Sequence, residues 1–405
     1  MLEMTAEQRD LVALAATLGR EKFAPRAAEY DREGAFPTEN YADLRDHGLL
    51  ALCVPRQYGG LGADYRSYAL FSAELGRHCG ATALTLNMHT CSMLWAGPLI
   101  DDLELDAATR RRHEERRAAI YEKVVRDGAI FAQPFSEPNT AAAAGKAPFG
   151  TTARKADGGW LVNGRKHFAS LSGAARFYAL LCTEEREDQA LDTRDTLLLA
   201  VPGDAPGFRI TGTWDTLGMR ATVSRGLVLQ DVFVPDDLQL MPRGAYHQAA
   251  LKWPHMFMTL TPSYLGIAQA AFDFTIAYLR GEVPGGPPGK RRSSPAKQFA
   301  VAEMRLKLEQ ARAVFLAAVA EARVNPPKDA RLRAYVAQYT VMENAQAICA
   351  LAIRTCGGST IQKALPLERL YRDSRCGALM LPWTAEICLE RLGRESLYEA
   401  DERDH

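Results

Sequence analysis

The chain changes from helical to strand-like hydrophobic spacing near Ala129 and changes back after Pro235. A first helix is predicted from the capping-box pair Thr5 and Gln8, which leucines follow at helical intervals, and we expect it to end before Pro25. Short apolar or alternating runs bounded by Gly, Pro, Asp or Asn fill the middle of the chain. The order of helices, strands and helices predicts an α+β protein.

Six runs between residues 129 and 234 have the length and composition of β-strands, and Asp157-Gly158-Gly159 between two of them is typical of a hairpin turn. Strands at such intervals predict a compact antiparallel β-barrel or β-sandwich. Long apolar helical stretches after residue 237 predict a four-helix bundle. The predicted domains are a helical N-terminal domain (1–127), a middle β-barrel domain (128–237) and a C-terminal helical bundle (238–405).

The charges of the chain are balanced, with 49 Lys plus Arg against 49 Asp plus Glu among 405 residues. This balance argues against a surface that binds nucleic acid or an anionic membrane as a whole. The apolar stretches are shorter than the ~20 residues of a membrane span, so we expect no membrane partner. Because the eight cysteines include no C-x-x-C pair and the N-terminus lacks a signal-peptide pattern, we expect a reduced, cytoplasmic setting.

Several familiar kinds of site are missing from the sequence. No G-x-G-x-x-G follows a predicted strand, and Pro284 stands where a phosphate-binding loop ending at Gly289 needs its first glycine. No serine lies in G-x-S-x-G, and no two histidines have the spacing of a zinc site, so no metal is expected. The residues alone predict a large globular protein whose site lies at a domain interface.

Six short motifs follow one another along the chain: Phe135–Pro138, Gly159–Ser170, Leu217–Ser224, Gln230–Pro235, Cys356–Gly358 and Leu370–Asp373. In their order and approximate spacing, the chain resembles the acyl-CoA dehydrogenase family over nearly its whole length. The resemblance implies that family's fold, with a helical N-domain, a β-barrel and a four-helix bundle. It also implies FAD bound between the β domain and the C-terminal helices, and a homodimer or homotetramer that shares FAD across subunits.

The resemblance assigns FAD-binding roles to particular side chains. Ser136 stands where the family's Thr or Ser contacts the flavin pyrimidine edge, Phe168 where a Trp lies against the isoalloxazine, and Ser170 where a Thr hydroxyl reaches N5. The other residues predicted to bind FAD are Gln133, Phe135, Arg354, Gly357, Gly358 and Thr384. The structural alternative for Ser136 is a turn or helix cap, and for the glycine pair it is a helix C-cap.

The residues that the family uses for acyl-CoA chemistry are replaced in this sequence. A dehydrogenase of the family needs a carboxylate that removes the substrate α-proton while hydride leaves the β-carbon for flavin N5. One usual position of this Glu corresponds to Leu381 or Pro382, and the other corresponds to Met256. The family's CoA-binding Arg corresponds to Phe257. These departures put α,β-dehydrogenation of a CoA thioester in question.

His89 and His255 are the candidate catalytic proton acceptors. His89 lies where this fold forms the substrate cavity, and His255 lies beside the second base position. A neutral imidazole is a natural general base near pH 7. The alternative for each is a hydrogen-bonded packing histidine.

Three functions stay open from the sequence. The first is an FAD-dependent oxidoreductase that desaturates an acyl thioester with an atypical or displaced base. The second is a flavin-dependent monooxygenase or N-oxygenase on the same fold, supplied with reduced flavin by a separate reductase. The third is a catalytically silent flavin-binding subunit. The expected partners are an acyl thioester or another small molecule, an electron acceptor or reductase, and further copies of this chain.

Overall fold

The computed structural model describes residues 4–143, 146–284, 291–399 and 402. The part before the first strand is helical, as predicted. Its helices are α1 (Ala6–Leu18), α2 (Ala24–Glu33), α3 (Thr38–Asp46), α4 (Tyr65–His78), α5 (Gly80–Ala96), α6 (Pro98–Asp101) and α7 (Ala107–Val125).

The start of α1 is confirmed, and α1 ends before Pro25 as predicted, but the chain stays helical through the proline. The Thr5 hydroxyl accepts from the Gln8 N–H, and the Gln8 side chain accepts in return from the Thr5 N–H. A π-helical turn, Gly19–Phe23, then joins α1 directly to α2. Pro25 lies in the first turn of α2. The π-helical turn, in which the Ala24 N–H donates to the Gly19 carbonyl oxygen, leads the backbone into α2, so the helical path continues through the proline.

Eight strands form one sheet in the middle of the chain: β1 (Phe131–Ala132), β2 (Thr152–Ala156), β3 (Gly159–Ala169), β4 (Phe177–Glu185), β5 (Thr196–Pro202), β6 (Phe208–Thr211), β7 (Arg225–Pro235) and β8 (Gln239–Met241). Their order is β6-β7-β3-β2-β4-β5-β8, with β1 beside β4. The hairpin between β2 and β3 is confirmed, with Ala156 opposite Gly159 and Gly158 at a φ of +68°.

The prediction of a wholly antiparallel barrel is wrong, because β4 runs parallel to both β1 and β2. The reason lies in the path of the chain. After the hairpin, β3 lies on one side of β2, and the chain then crosses to place β4 on the other side. Two reversals of direction bring β4 parallel to β2. The middle domain is therefore a mixed sheet.

Helices return after the sheet and form the predicted bundle. The short helix α8 (Thr140–Ala143) lies between β1 and β2 in the chain, and α9 (Ala245–Lys252) follows β8 and packs against β5. The bundle contains α10 (Thr261–Arg280), α11 (Pro295–Ala320), α12 (Lys328–Cys356), α13 (Leu367–Cys376) and α14 (Ala385–Leu397). Helix α12 packs against the other four. A Cβ on Gly266 would lie 2.2 Å from the Ala73 carbonyl oxygen, so glycine lets α10 pack closely on α4. None of the described helices is long and apolar enough to cross a bilayer.

Candidate functional site

Phe168 presents an unusually exposed ring at the end of β3. Its φ is +53°, its side chain is 63% exposed, and its ring meets Trp214 edge-on with centroids 6.1 Å apart. The pairing of β3 with β7 shifts register between Lys166 and Ala169, which is where this residue turns outward. A bulky residue in the left-handed region is strained, and such positions cluster at ligand sites. Phe168 therefore offers an apolar face to a bound planar group.

Ser170 lies at one end of a chain of three hydroxyl groups. Its Oγ is 2.8 Å from Ser224 Oγ, and Ser224 Oγ is 2.7 Å from Thr222 Oγ1. Thr222 Oγ1 in turn donates to the Met219 carbonyl oxygen at 2.8 Å. All three hydroxyl-bearing residues are buried. The chain fixes the Ser170 side chain against the loop that precedes β7.

Helix α13 holds this loop in place. The Met219 N–H donates to Asp373 Oδ1 at 2.6 Å, and a Cβ on Gly218 would lie 2.4 Å from the Arg372 carbonyl oxygen. Burial raises the pKa of Asp373 to about 6, against the opposing charge of Arg369 and the Met219 N–H. Asp373 thus connects the C-terminal bundle to the hydroxyl chain of Ser170.

Ser136 lies in a turn that a buried ion pair holds. Its carbonyl oxygen accepts from the His167 N–H at 2.8 Å, which places it beside Phe168. Glu137, the next residue, accepts from Lys166 Nζ at 2.7 Å and from two backbone N–H groups. Although burial opposes ionisation, the Lys166 charge and these donors hold the pKa of Glu137 below its ordinary value.

Gln133 and Phe135 lead into a cluster of aromatic rings. Gln133 is buried, and its Nε2 has no hydrogen-bond partner among the described residues. Four aromatic rings contact the Phe135 ring: Trp95, Phe149, Tyr246 and Phe257. A fifth ring, Trp383, contacts Phe257. The Trp95 indole N–H also lacks an acceptor in the described part of the chain. Two buried N–H donors among the described residues, on Gln133 and Trp95, therefore lack an acceptor next to a cluster of apolar rings.

One of the two positions of the family's catalytic Glu lies beside this aromatic cluster. Pro382 and Trp383 line a cavity of about 130 Å³, and Trp383 packs on Phe257 and Tyr335 with ring centroids 5.7 and 4.4 Å away. Met256, the second position, is buried. The described residues that line the cavity include Arg391 and His247 but no Asp or Glu. No carboxylate side chain takes the place of the missing base in this cavity.

His89 is fully engaged by the backbone. Its Nε2 is 2.7 Å from the Leu50 carbonyl oxygen, and its Nδ1 is 3.1 Å from the Phe131 N–H that donates to it. Burial lowers the pKa of His89 to about 4, although the hydrogen bond to Leu50 opposes this. Both nitrogens of a neutral imidazole are thus used, and neither is left to take a proton from a substrate. This geometry favours the packing alternative.

His255 is different, because neither of its ring nitrogens has a hydrogen-bond partner among the described residues. The side chain is fully buried in the turn before α10. Burial lowers its pKa to about 4, although the charge of Glu321 opposes this. The imidazole is therefore neutral and has both a donor and an acceptor to offer.

The remaining predicted residues lie at helix ends. Gly357, with a φ of +92°, follows the last residue of α12, and a Cβ on either Gly357 or Gly358 would meet no atom within 4 Å. Arg354 is exposed one turn earlier. Thr384 caps α14, with its hydroxyl accepting from the Ile387 N–H at 3.3 Å. Among described contacts, none joins the glycine pair to the group around Ser136 and Ser170.

The sequence reasoning missed the partners that orient these groups. Thr222 and Ser224 both lie in the Leu217–Ser224 motif, where their i, i+2 spacing indicates two neighbouring hydroxyl groups. Trp95 and Tyr246 gave no signal, because the residues that they contact are far away in sequence.

The residues present fit a flavin. An exposed ring at Phe168 can cover one face of the isoalloxazine, and the buried hydroxyl of Ser170 and the unpartnered Gln133 amide offer polar contacts at its edge. The open backbone at Gly357 and Gly358 can admit a nucleotide. No group of His, Cys, Asp and Glu in the described ranges could hold a metal ion.

Comparison with known proteins gives consistent matches. The family models for the N-terminal, middle and C-terminal domains of acyl-CoA dehydrogenases match residues 5–100, 132–232 and 258–380. Putative acyl-CoA dehydrogenase YdbM of Bacillus subtilis is 32% identical over 383 residues, which cover 93% of this chain and 94% of that protein.

Two solved structures are also similar. KijD3 in complex with FMN and dTDP-3-amino-2,3,6-trideoxy-4-keto-3-methyl-D-glucose has a TM-score of 0.83 and 27% identity, and the match covers 100% of this chain and 96% of that one. The nitrososynthase of Micromonospora carbonacea has a TM-score of 0.79 and 25% identity, with 98% of each chain covered.

Proposed function

Because the chain belongs to the acyl-CoA dehydrogenase family of FAD-binding oxidoreductases, we propose that it is a member that oxygenates a small substrate, with reduced flavin supplied by a separate reductase. The observation that carries the proposal is the absence of a carboxylate at either position of the family's base within the described structure. Leu381 or Pro382 stands at one position and Met256 at the other, and none of these side chains can accept a proton.

The buried carboxylates near the predicted flavin site already accept hydrogen bonds from other groups of the protein. Glu137 accepts from Lys166 and from two backbone N–H groups, and Asp373 accepts from the Met219 N–H. A general base must lie within roughly 3 Å of the proton that it removes. Neither carboxylate is free for that task, so oxygenation, which needs no α-proton abstraction, is the chemistry that this geometry supports best.

The proposed reaction uses one O₂ and two electrons. Bound FAD supplies the electrons and the site of oxygen activation. One oxygen atom enters the substrate as a hydroxyl group in place of hydrogen, and the other leaves as water with the two hydrogens of the reduced flavin. The aromatic cluster around Phe135 would exclude water from this place, and Ser170, which Ser224 holds in position, would offer a hydrogen bond at the flavin edge.

The aromatic cavity supports a compact substrate. Its volume of about 130 Å³ is close to that of an apolar cavity of about 150 Å³ that holds one benzene molecule. Phe149, Tyr246, Phe257 and Trp383 supply its apolar walls. The long pantetheine arm of CoA needs a larger channel, and the Arg that binds it in the family is Phe257 here.

The reaction of the reduced protein with oxygen tests the proposal. The flavin-bound protein is reduced anaerobically with NADH and a flavin reductase, then mixed with oxygenated buffer and ring-sized phenols or aromatic amines. We expect rapid reoxidation by O₂, hydrogen peroxide as the product without substrate, and labelled oxygen in the product when an accepted compound and labelled O₂ are present. A bound flavin that stays reduced in air would contradict the proposal.

The second candidate is desaturation of an acyl thioester with a displaced base. It is favoured by the 32% identity to YdbM, whose name is putative acyl-CoA dehydrogenase, and by the unpartnered imidazole of His255. Reduction of the flavin by saturated acyl-CoA under anaerobic conditions distinguishes it from oxygenation. If the protein binds flavin but the bound flavin reacts with neither acyl-CoA nor O₂, the third hypothesis, a catalytically silent flavin-binding subunit, gains support.

We also propose a cytoplasmic homo-oligomer, a dimer or a tetramer. All eight cysteines are unpaired, which suits a reduced compartment. Phe299 and Leu306, two turns apart on α11, are exposed and offer apolar surface to a second copy. Light scattering with and without FAD measures the state. A monomer under both conditions would contradict the shared-cofactor arrangement.

A further inference from the structure

We propose that this site selects the reduced form of the flavin, because its hydroxyl chain holds Ser170 as a hydrogen-bond acceptor. The inference rests on the proposed function through the position of Ser170 at flavin N5. It adds a property that the position alone does not give, since a hydroxyl can donate or accept.

The donor and acceptor of each hydrogen bond in the row of three hydroxyl groups follow from counting their hydrogens. A carbonyl oxygen can only accept, so the single hydroxyl hydrogen of Thr222 is used on Met219, 2.8 Å away. The contact of 2.7 Å between Thr222 and Ser224 must then use the Ser224 hydrogen. The contact of 2.8 Å between Ser224 and Ser170 must use the Ser170 hydrogen. Each hydroxyl has one hydrogen, so one assignment satisfies all three contacts.

Ser170 is therefore left with lone pairs and no hydrogen to offer a ligand. Oxidised flavin carries a lone pair at N5, whereas reduced flavin carries a hydrogen there. An accepting Ser170 complements the N5–H of the reduced ring and opposes the N5 lone pair of the oxidised ring. A protein that receives flavin already reduced by another enzyme gains from this preference, since it binds the form that reacts with O₂.

A substitution at Thr222 can turn Ser170 from a hydrogen-bond acceptor into a donor. The Met219 carbonyl oxygen also accepts from the Thr222 N–H at 3.1 Å and from Trp214 Nε1 at 3.3 Å. Thr222→Val, which keeps the shape, therefore leaves that carbonyl satisfied. Ser224 loses its acceptor and turns its hydrogen to Ser170, which then donates to N5. Thr222→Ser keeps the hydroxyl and is the matched control.

The midpoint potential of bound FAD measures the preference in the holoprotein. Ser170→Ala removes a hydrogen bond to the reduced flavin and an unfavourable contact with the oxidised flavin, so we expect a change of about tenfold in the ratio of affinities for the two flavin forms. For a two-electron couple a tenfold change corresponds to about 30 mV. Ser170→Ala should lower the potential by about this amount. Thr222→Val should lower it by at least as much, because Ser170 then donates to oxidised N5, and Thr222→Ser should leave it unchanged.

The sign of the Ser170→Ala shift decides the question. A donating Ser170 would stabilise oxidised flavin, so its removal would raise the potential, and that result would overturn the inference. A Thr222→Val potential equal to that of Thr222→Ser would overturn it as well. If Thr222→Val fails to fold, Ser224→Ala interrupts the same chain and should also lower the potential, whereas an unchanged value would refute the assignment.

The reaction with oxygen separates this inference from the proposed function. Oxygenation by the wild-type protein together with a raised potential in Ser170→Ala would reject the acceptor role and keep the function. Flavin reduction by acyl-CoA together with a lowered potential would reject the function and keep the acceptor role.

Discussion

Lys166→Met tests whether a buried ion pair holds the predicted flavin wall together. Lys166 Nζ lies 2.7 Å from Glu137 Oε1 and 2.6 Å from the Leu181 carbonyl oxygen, and both charged side chains are almost fully buried. Methionine keeps the length of the lysine stem and removes the charge. Glu137 then stays buried with only its two backbone donors, from Gly150 and Thr151.

The expected cost follows from this geometry. Removing one partner of a buried pair costs about 3–5 kcal/mol. Because two N–H donors at 2.7 and 3.0 Å still stabilise the carboxylate, we place Lys166→Met at the lower end, about 3 kcal/mol. Replacing Glu137 by Gln in the same chain removes the unpaired charge, so the double variant should recover at least about 1 kcal/mol of this loss. Since Glu137 follows Ser136, Lys166→Met should also weaken FAD binding.

The assay is urea denaturation followed by far-UV circular dichroism, with FAD affinity from fluorescence quenching. The matched control is Lys155→Met, because Lys155 pairs with Asp236 at the surface, where an ion pair contributes less than about 1 kcal/mol. A Lys166→Met variant within about 1 kcal/mol of wild type would refute the reasoning. So would a double variant less stable than the single one.

Three further predictions concern buried titratable groups. Burial raises the pKa of Asp373 to about 6, so between about pH 4 and 6 the folded state keeps a proton that the unfolded state releases, and this group destabilises the fold by about 3 kcal/mol over the whole window. About 2 kcal/mol of this change falls between pH 4.5 and 7, so the stability of Asp373→Asn relative to wild type, from urea midpoints at those two pH values, should increase by about 2 kcal/mol. Burial lowers the pKa of His89 to about 4, so the sign of its pH dependence is opposite: its stabilisation of the fold is present above about pH 6.5 and is lost as pH falls through 4. His89→Leu should cost about 2–4 kcal/mol of folding free energy at pH 7, because it leaves the Leu50 carbonyl oxygen and the Phe131 N–H unpaired. Unchanged stability with lost activity would instead indicate a catalytic His89. His255→Phe should be neutral or stabilising by up to about 2 kcal/mol, since both ring nitrogens lack partners, and thermal denaturation that shows a clear loss would contradict this account of His255.

The fold was predictable wherever one local signal was strong. The capping pair Thr5 and Gln8 and the hairpin glycine Gly158 act within three residues, so the sequence contains the whole interaction. The strands β6 and β8 were missed because they have only four and three residues, too few for alternation to be distinguished from a loop. The parallel pairing of β4 was missed because direction depends on where the chain crosses, and no local pattern records that.

At the candidate site, too, residue types were predictable from local motifs, whereas contacts between distant segments were not. The motif around Ser170 pointed to a hydroxyl at the flavin edge, but the direction of its hydrogen bond depends on Ser224 and Thr222, more than fifty residues later. His89 was a reasonable general base from residue type alone. Its two hydrogen bonds, to Leu50 and Phe131, come from elements far apart in sequence and are visible only in the folded chain.

Anaerobic titration of the oxidised holoprotein with saturated acyl-CoA thioesters, from butyryl to palmitoyl, tests the central claim most directly. The account predicts that the visible absorbance of the flavin stays unchanged at every chain length, because neither Pro382 nor Met256 can remove the α-proton. The same protein, reduced and exposed to O₂, should reoxidise, so an unchanged spectrum cannot be attributed to an inert flavin. Bleaching by any of these thioesters would contradict the account and identify a base that lies elsewhere.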